Sequence, residues 1–457
     1  MREEITILHT NDIHSHLERW PKIRRYLTDK RARLVQDGVS VLTFDIGDAL
    51  DRQHPLTEAT MGQGNVLLLN EVGYDGVTLG NNEILGLSHT ALNHLYDDAN
   101  FDVLISNMTD MATDEVPEWA LTSKIITTPK GTRIGVLGLT APFILTMPLL
   151  GWMPQRVDER LTAVLDAFAG KTDLNILLSH LGLPTDQYLA ERFPDLQVII
   201  GAHTHHLLAH GERRGSSLLA AAGKYGENIG KIDITMQEGS ITRMQARTIA
   251  TDELPDTAAD AVEVANYIAM GNAKLAQDIV GVLPTAYTRD LKAKHRLIDL
   301  GLSALKKRTG TDIAMLSTGM FLGDLAAGQV TKKDLHDILP HTVHPIKVTL
   351  TGSDLWRLVH EVKKSRAYML TGRIRGMGFR GDQWGEIVWS GLNLADNGDV
   401  FVQDELLDGQ ELYTIGALDH YYFLPFFPTI ELVGNTKMSY DTVLREDFGE
   451  YLATKFN

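Results

Sequence analysis

Seven side chains in this sequence have the types and spacing to hold two metal ions. Asp12 and His14 stand two residues apart, so an extended segment puts them on one side. Asp48 follows Gly47, and Asn81 sits inside Gly80-Asn81-Asn82-Glu83. His180 follows Ser179, and His203 and His205 lie in Gly201-Ala202-His203-Thr204-His205-His206. These donors suit two cations about 3.5–4 Å apart, bridged by Asp48, that polarise a phosphoester and activate a water. The chain has 0 Cys, so every ligand must be nitrogen or oxygen. With several imidazoles in the set, Zn, Mn or Fe are favoured, and Mg or Ca less so.

Each block has a plainer reading. Asp-x-His is a frequent spacing, Gly-Asp suits a turn, and Gly-Asn suits a left-handed one. A His at the end of an apolar run can be structural. Three His within four residues are harder to dismiss. The force of the five blocks is joint, because each closes an apolar run that reads as a strand. Open α/β sheets bind ligands at the carboxyl ends of their strands.

The positioning elements follow from periodicity. Strands are expected over 4–9, 40–45, 75–79, 102–106, 133–138, 174–179 and 196–200. Amphipathic helices are expected over 21–37 and 158–169, closed by Gly38 and Gly170, with Pro21 in a first helical turn. This alternation predicts a mostly parallel α/β sheet system. Residues 206–250 read as short strands with Gly turns, an antiparallel part.

A chain of 457 residues exceeds one ordinary core. The expected organisation is a catalytic domain over 1–251, a linking helix over 252–277, and a smaller α/β domain over 278–457. In the second domain helices are expected over 294–308, 331–338 and 352–364, and strands over 312–316 and 346–351. The stretch 370–392 is rich in Gly, Arg and Trp and has no clear period.

Charge narrows the partners. Asp+Glu number 59 against Lys+Arg 43, a net charge of -16. Such a field repels a nucleic-acid polymer or an anionic membrane, so a small phosphoester is the expected partner. No run of about 18 apolar residues exists, so no membrane span is expected. Met1-Arg2-Glu3-Glu4 leads straight into Ile5-Thr6-Ile7-Leu8 with no targeting segment, and a cytoplasmic location is expected. Nothing in the sequence sets an oligomeric state.

The order D-x-H, G-D, G-N-x-E, S-H and G-x-H-T-H resembles the calcineurin-like metallophosphoesterases. The opening Ile7-Leu8-His9-Thr10-Asn11-Asp12-Ile13-His14-Ser15-His16 is similar to their 5'-nucleotidase branch. Asp312 to Ser317, Gly328 to Thr331, Asp337 to Pro340, Val348 to Gly352 and Trp389 to Leu392 resemble that branch's C-terminal domain. The resemblance implies a four-layer α/β sandwich, a linking helix and a C-terminal substrate domain, with a substrate cleft and hinge motion. It also implies one metal on Asp12, His14, Asp48 and His205, and another on Asp48, Asn81, His180 and His203.

The departures are specific. The family reads G-N-H-E with an Asp two residues on, a His-Asp pair that serves the transferring phosphoryl group or the leaving oxygen. Here Asn82 and Leu85 stand there. Asn is no useful acid, though it can hydrogen-bond a phosphate oxygen. The family's Asn-x-Gly-Gly-Ile-Arg becomes Ser317-Thr318-Gly319-Met320-Phe321-Leu322. Phe321, Phe426 and Phe427 remain candidates to contact a base. Arg52 and His54, just after Asp48, are candidates to neutralise phosphate and to replace the missing acid.

Three functions follow. The first is metal-dependent hydrolysis of a nucleotide or other small phosphoester by an activated water. The second is a phosphodiesterase or pyrophosphatase acting on a cyclic nucleotide or nucleotide sugar, whose leaving group needs less acid. The third is a metal-holding pseudoenzyme that senses a nucleotide-like ligand.

Overall fold

The computed structural model describes residues 2–373, 376 and 378–456. Positions 374, 375 and 377 of the stretch without a period lie outside the described residues. The chain divides into two compact units, Met1–Gly271 and Asn272–Asn457.

The first unit holds eleven principal strands. They are β1 (Arg2–Thr10), β2 (Ser40–Asp45), β3 (Gly76–Val77), β4 (Ser123–Thr127), β5 (Arg133–Thr140), β6 (Leu174–His180), β7 (Val198–Gly201), β8 (Glu212–Arg214), β9 (Ser217–Ala220), β10 (Asn228–Gln237) and β11 (Ser240–Ala250). Its helices include α1 (Trp20–Gln36), α2 (Pro55–Thr60), α3 (Asn81–Gly86), α4 (Val157–Phe168), α5 (Leu183–Arg192) and α6 (Ala258–Leu275). One sheet has the order β11-β10-β1-β2-β3 and the other β8-β9-β7-β6-β5-β4. β1, β2 and β3 are parallel, as are β5, β6, β7 and β9. The expected antiparallel part is present in β10–β11 and β8–β9.

Period-two burial builds the layers. Ile5, Ile7 and Phe44 of the first sheet share a core with Val136, Ile176 and Ile200 of the second. Their strand neighbours Leu137, Leu177 and Ile199 face the other way, onto Leu161 and Leu165 of α4 and Leu189 of α5. α1 buries Trp20, Ile23 and Leu27 at helical spacing, the pattern of a helix laid on a sheet. Gly38 follows it at φ +75°, the left-handed exit that glycine makes without strain. The result is helix on sheet on sheet on helix.

One expected strand is not regular. Over 102–106 the ladder never propagates, because neighbouring residues pair with different segments. Leu104 N–H donates to Val77 O at 2.8 Å and Ile105 N–H to Leu121 O at 2.9 Å.

The second unit centres on a five-stranded sheet. Its order is Ile387–Ser390, Ile313–Ser317, Leu412–Leu418, Pro345–Thr351, Asn435–Met438. Only the Ile313–Ser317 and Leu412–Leu418 pair is parallel. The helix expected over 352–364 continues to Thr371, because Met369 still packs on the core. The unit boundary falls inside α6, and no helix among the described residues is long and apolar enough to cross a membrane.

Candidate metal centre

The carboxyl ends of five parallel strands deliver the seven candidate ligands to one place. Asp12 and His14 follow β1, Asp48 follows β2, Asn81 opens α3 after β3, His180 ends β6, and His203 and His205 follow β7. The loops interlock through their backbones. Asp12 N–H donates to Gly47 O at 3.0 Å and His14 N–H to Asp48 O at 2.8 Å. A Cβ on Gly80 would lie 2.0 Å from Asp48 Oδ1, and one on Gly47 would lie 2.3 Å from Gly80 N. Only glycine permits that approach.

Five of the seven candidates have left-handed backbone, as do Ser15 and Tyr225 beside them and Met61, Asp114, Glu238, Gln403 and Asp404. Asp12 and His14 have φ of 49°, Asp48 51°, His203 72° and His205 58°. Such values are uncommon without glycine, and they gather where function over-determines the chain.

Donor atoms converge in two overlapping groups. Asp12, His14 and His205 form one, and Asp12, Asp48 and His180 the other, with ligand atoms inside each within 4.8 Å of one another. His14 Nε2 lies 3.1 Å from His205 Nε2 and 3.6 Å from Asp48 Oδ2. Asn81 Oδ1 lies 2.8 Å from His203 Nδ1. The His203 backbone N–H donates to the Asp12 carboxylate at 3.1 Å.

His180 is the most telling of the seven. Its Nδ1 lies 2.7 Å from Ile46 O and must donate to it, so in the neutral ring Nε2 carries the lone pair. That Nε2 is buried, has no hydrogen-bond partner, and faces Asp48 Oδ2 at 3.5 Å. A carboxylate opposite that nitrogen calls for a positive charge between them, a proton in the metal-free centre or a cation in its place. Burial works against the His180 imidazolium, yet Asp48 and then Asp12 push the ring up to about 10. Burial also opposes the Asp48 charge, yet His180 and His14 hold its carboxyl well below the usual range. Burial pushes His203 and His205 down to about 4, which leaves them neutral. A His with one nitrogen on a carbonyl and the other free is the form in which imidazole binds metal. The donor set therefore fits divalent cations.

The remaining candidates are placed differently. Arg52 is buried, with its guanidinium on the Glu58 carboxylate at 2.8 Å and Gly86 O at 3.2 Å. His54 caps α2, its Nδ1 accepting from Leu56 N–H at 3.2 Å. Phe321 and Phe427 are core residues, against Phe448 and against Trp384 and Tyr421. Both rings are covered. Phe426 is half-buried and stacks on Tyr368 at 5.1 Å.

Sequence reasoning passed over Glu83. Buried in α3, its carboxylate accepts four backbone N–H groups: Gly80 at 2.8 Å, Ala49 at 2.9 Å, Asp48 at 3.0 Å and Leu50 at 3.3 Å. It ties the loop after β2 to the loop after β3. A Glu at the third position of a helix is a capping-box signal, and that signal was readable. Tyr225 was also missed. Its N–H donates to Asp12 O at 2.7 Å, and its ring stands 5.7 Å from that of His14 and 3.9 Å from that of His16.

This fold and this site define a metallophosphoesterase. Residues 5–207 match the calcineurin-like phosphoesterase family, and residues 276–383 match the 5'-nucleotidase C-terminal domain. The chain is 36% identical to the uncharacterized metallophosphoesterase YunD of Bacillus subtilis (strain 168), over 94% of this chain and 95% of YunD. It is 22% identical to the trifunctional nucleotide phosphoesterase YfkN of the same organism, over 77% of this chain but 27% of that longer protein. Among solved structures, the 5'-nucleotidase precursor of Thermus thermophilus shares the fold at a TM-score of 0.59 and 20% identity, covering 99% of this chain and 96% of its own. The NAD nucleotidase of Haemophilus influenzae does so at 0.66 and 16%, with the same coverage. The chain belongs to the 5'-nucleotidase family of calcineurin-like metallophosphoesterases. It is a hydrolase acting on phosphoester bonds, and its fold implies divalent metal ions.

Proposed function

We propose that this chain hydrolyses a small nucleotide-like phosphoester at a two-metal centre. Asp12, His14, Asp48 and His205 would hold one ion, and Asp48, Asn81, His180 and His203 the other, with Zn, Mn or Fe as the native metals. The observation that carries this reading is the buried, unpartnered His180 Nε2 facing Asp48. When bound, the ions supply positive charge to the phosphoryl oxygens and make a water more acidic.

The protein's own groups do the rest. Asp48 turns one carboxylate oxygen to both His14 and His180, and the other accepts Asn82 N–H at 2.7 Å. That placement supports Asp48 as the bridging group between the two ligand sets. His54 is the proposed proton source for the leaving oxygen. Its Nδ1 is taken by Leu56 N–H, so the neutral ring carries its proton on Nε2. His54→Gln is expected to lower turnover more than tenfold at unchanged metal content. Unchanged turnover rejects the role. Phe426 is the proposed base-contacting ring, and Phe321 and Phe427 are core residues of the second unit. Arg52 is proposed to brace the Asp51–Glu58 turn through Glu58.

The reading as a phosphodiesterase or pyrophosphatase rests on Asn82, whose amide is spent on His14 and Leu50 O and offers no acid. A leaving group of low basicity needs less help. The test is metal analysis of the purified protein, then a panel with that metal and with Mn²⁺. The panel holds a nucleoside monophosphate, a dinucleotide, a nucleotide sugar, a cyclic nucleotide and p-nitrophenyl mono- and diesters. Hydrolysis of at least one nucleotide is expected, and faster diester cleavage selects the second reading. Protein without transition metal and without activity on any panel member overturns both.

A further inference from the structure

The segment that follows β9 is tied to two of the ligand loops. Gly223 N–H donates to His206 O at 3.0 Å, and Tyr225 N–H donates to Asp12 O at 2.7 Å. Asn11 Oδ1 accepts Ala222 N–H at 3.1 Å, while Asn11 Nδ2 donates to Gly223 O at 2.7 Å. Lys224 is therefore held on both sides, between the loop of Asp12 and His14 and the loop of His203 and His205. Its ammonium stands 4.5 Å from the centre of the Tyr225 ring, and that ring lies 5.7 Å from His14 and 6.3 Å from His205. An aromatic face attracts an ammonium without neutralising it.

That charge is unspent. Lys224 is half-buried and forms no ion pair among the described residues. Other basic groups of this unit are used: Lys231 of β10 pairs with Asp233, and Arg19 with Glu18 and Asp252. In a chain of net charge -16, an unpaired ammonium beside a cluster of metal ligands is a place for an anion that arrives with the substrate.

The phosphoryl group under attack belongs to the ions in the two-metal reading. Lys224 is no ligand and stands against the Tyr225 ring, so its share is charge elsewhere on the substrate. A monoester's leaving alcohol brings none, and it departs best with a proton, which Asn82 cannot give. The leaving group of a phosphoanhydride is itself a phosphate. It is charged throughout, weakly basic, and better served by a cation than by an acid.

We propose that Lys224, held against Tyr225, binds the second phosphate of a phosphoanhydride substrate and meets the charge that gathers there as the bond breaks. This rests on the two-metal reading and narrows its substrate to the nucleoside diphosphate class, free or sugar-linked. In the step, a water oxygen joins the attacked phosphorus, and the bond from that phosphorus to the bridging oxygen breaks. The bond's electrons stay on the departing phosphate, and the proton that water loses passes to solvent.

The test uses the full-length protein loaded with Mn²⁺, as wild type, Lys224→Met and Lys224→Arg. Each is assayed on adenosine diphosphate, a nucleotide sugar and adenosine monophosphate. Inorganic pyrophosphate and inorganic phosphate are titrated as inhibitors, which read the same preference where a substrate is not turned over. The quantity of interest is selectivity, kcat/KM on a diphosphate over kcat/KM on the monophosphate. Lys224→Met is expected to lower it about 10–100-fold, the worth of one hydrogen bond to a charged group, and to weaken inhibition by pyrophosphate more than inhibition by phosphate. Lys224→Arg is expected to recover most of both, because it restores the charge. Loss on either diphosphate supports the assignment, and the larger loss tells a free from a sugar-linked second phosphate. Melting temperatures and metal content check that each variant is intact, and Lys224→Gln carries the test if Lys224→Met does not fold. Unchanged selectivity in Lys224→Met, or equal losses on all three substrates with no recovery by arginine, overturns the proposal and leaves the two-metal reading standing. So does a wild type that cleaves only the monophosphate and is not inhibited by pyrophosphate. Wild type that holds no metal and cleaves nothing overturns both.

Discussion

Asp48→Asn is expected to leave a folded protein that holds less than a full complement of metal and turns over about 10³-fold more slowly, a barrier increase of ~4 kcal/mol. The substitution is nearly isosteric, and Asp48 is 2% exposed, so no new surface forms. Its chemistry changes where both ligand sets meet. One oxygen can still accept Asn82 N–H at 2.7 Å. The new amide nitrogen then faces His180 Nε2, now 3.5 Å from Asp48 Oδ2, and donates to the lone pair of a neutral ring, where the metal-free wild type has an imidazolium–carboxylate pair. A buried ion pair is replaced by a neutral hydrogen bond, an exchange that is often close to neutral. The metal-stripped variant should therefore melt close to the metal-stripped wild type. Metal analysis, calorimetry and steady-state rates read the three quantities. Full metal content with wild-type turnover sinks the assignment of Asp48 as the shared ligand.

Glu83→Ala is expected to unfold the first unit more easily by about 4 kcal/mol or more, and to weaken metal binding with it. The variant strips the acceptor from four backbone N–H groups. A buried donor left unpaired costs about 1–3 kcal/mol, and water entering the space recovers part of the total. Domains are stable by only about 5–15 kcal/mol, so the loss is a large share. Glu83→Gln should fall between. Its amide keeps one oxygen, so two of the four donors face nitrogen. Burial pushes the Glu83 carboxyl up to about 7, with Asp48 adding to the rise, while the backbone N–H groups oppose it. Four donors on two oxygens mark the ionised form as the one the loops are built around. Urea denaturation of the metal-free protein gives the stability, and chelator competition gives the affinity. A Glu83→Ala melting point within about 2 °C of wild type would show that the loops hold without it.

The sequence exposed the candidate ligands because their chemistry is local. Asp12, His14, Asp48, Asn81, His180, His203 and His205 each close an apolar run, and the runs became parallel strands whose ends meet. Helix α1 was readable from one buried stripe and its glycine exit. What stayed hidden depends on side-chain direction. Arg52 reads as a phosphate ligand by type and place, yet Glu58, six residues on, takes its guanidinium. Phe426 and Phe427 are neighbours in sequence, but one ring is half-buried and the next wholly covered. The short Val103–Leu104 bridges look like a strand because apolar content does not report where each N–H goes. Asn82 was legible as a departure, but not that it turns toward His14.

The left-handed backbone at Asp12, His14, Asp48, His203 and His205 has a consequence for drift. Each such residue holds a conformation that costs an ordinary side chain about 1 kcal/mol and glycine almost nothing. Random replacement by glycine at any of these positions would relax the chain and relieve crowded like groups at the same time. In a copy with no catalytic duty, selection for stability alone would erode this centre first. Glycine at any of the five is therefore expected to trade metal binding for stability.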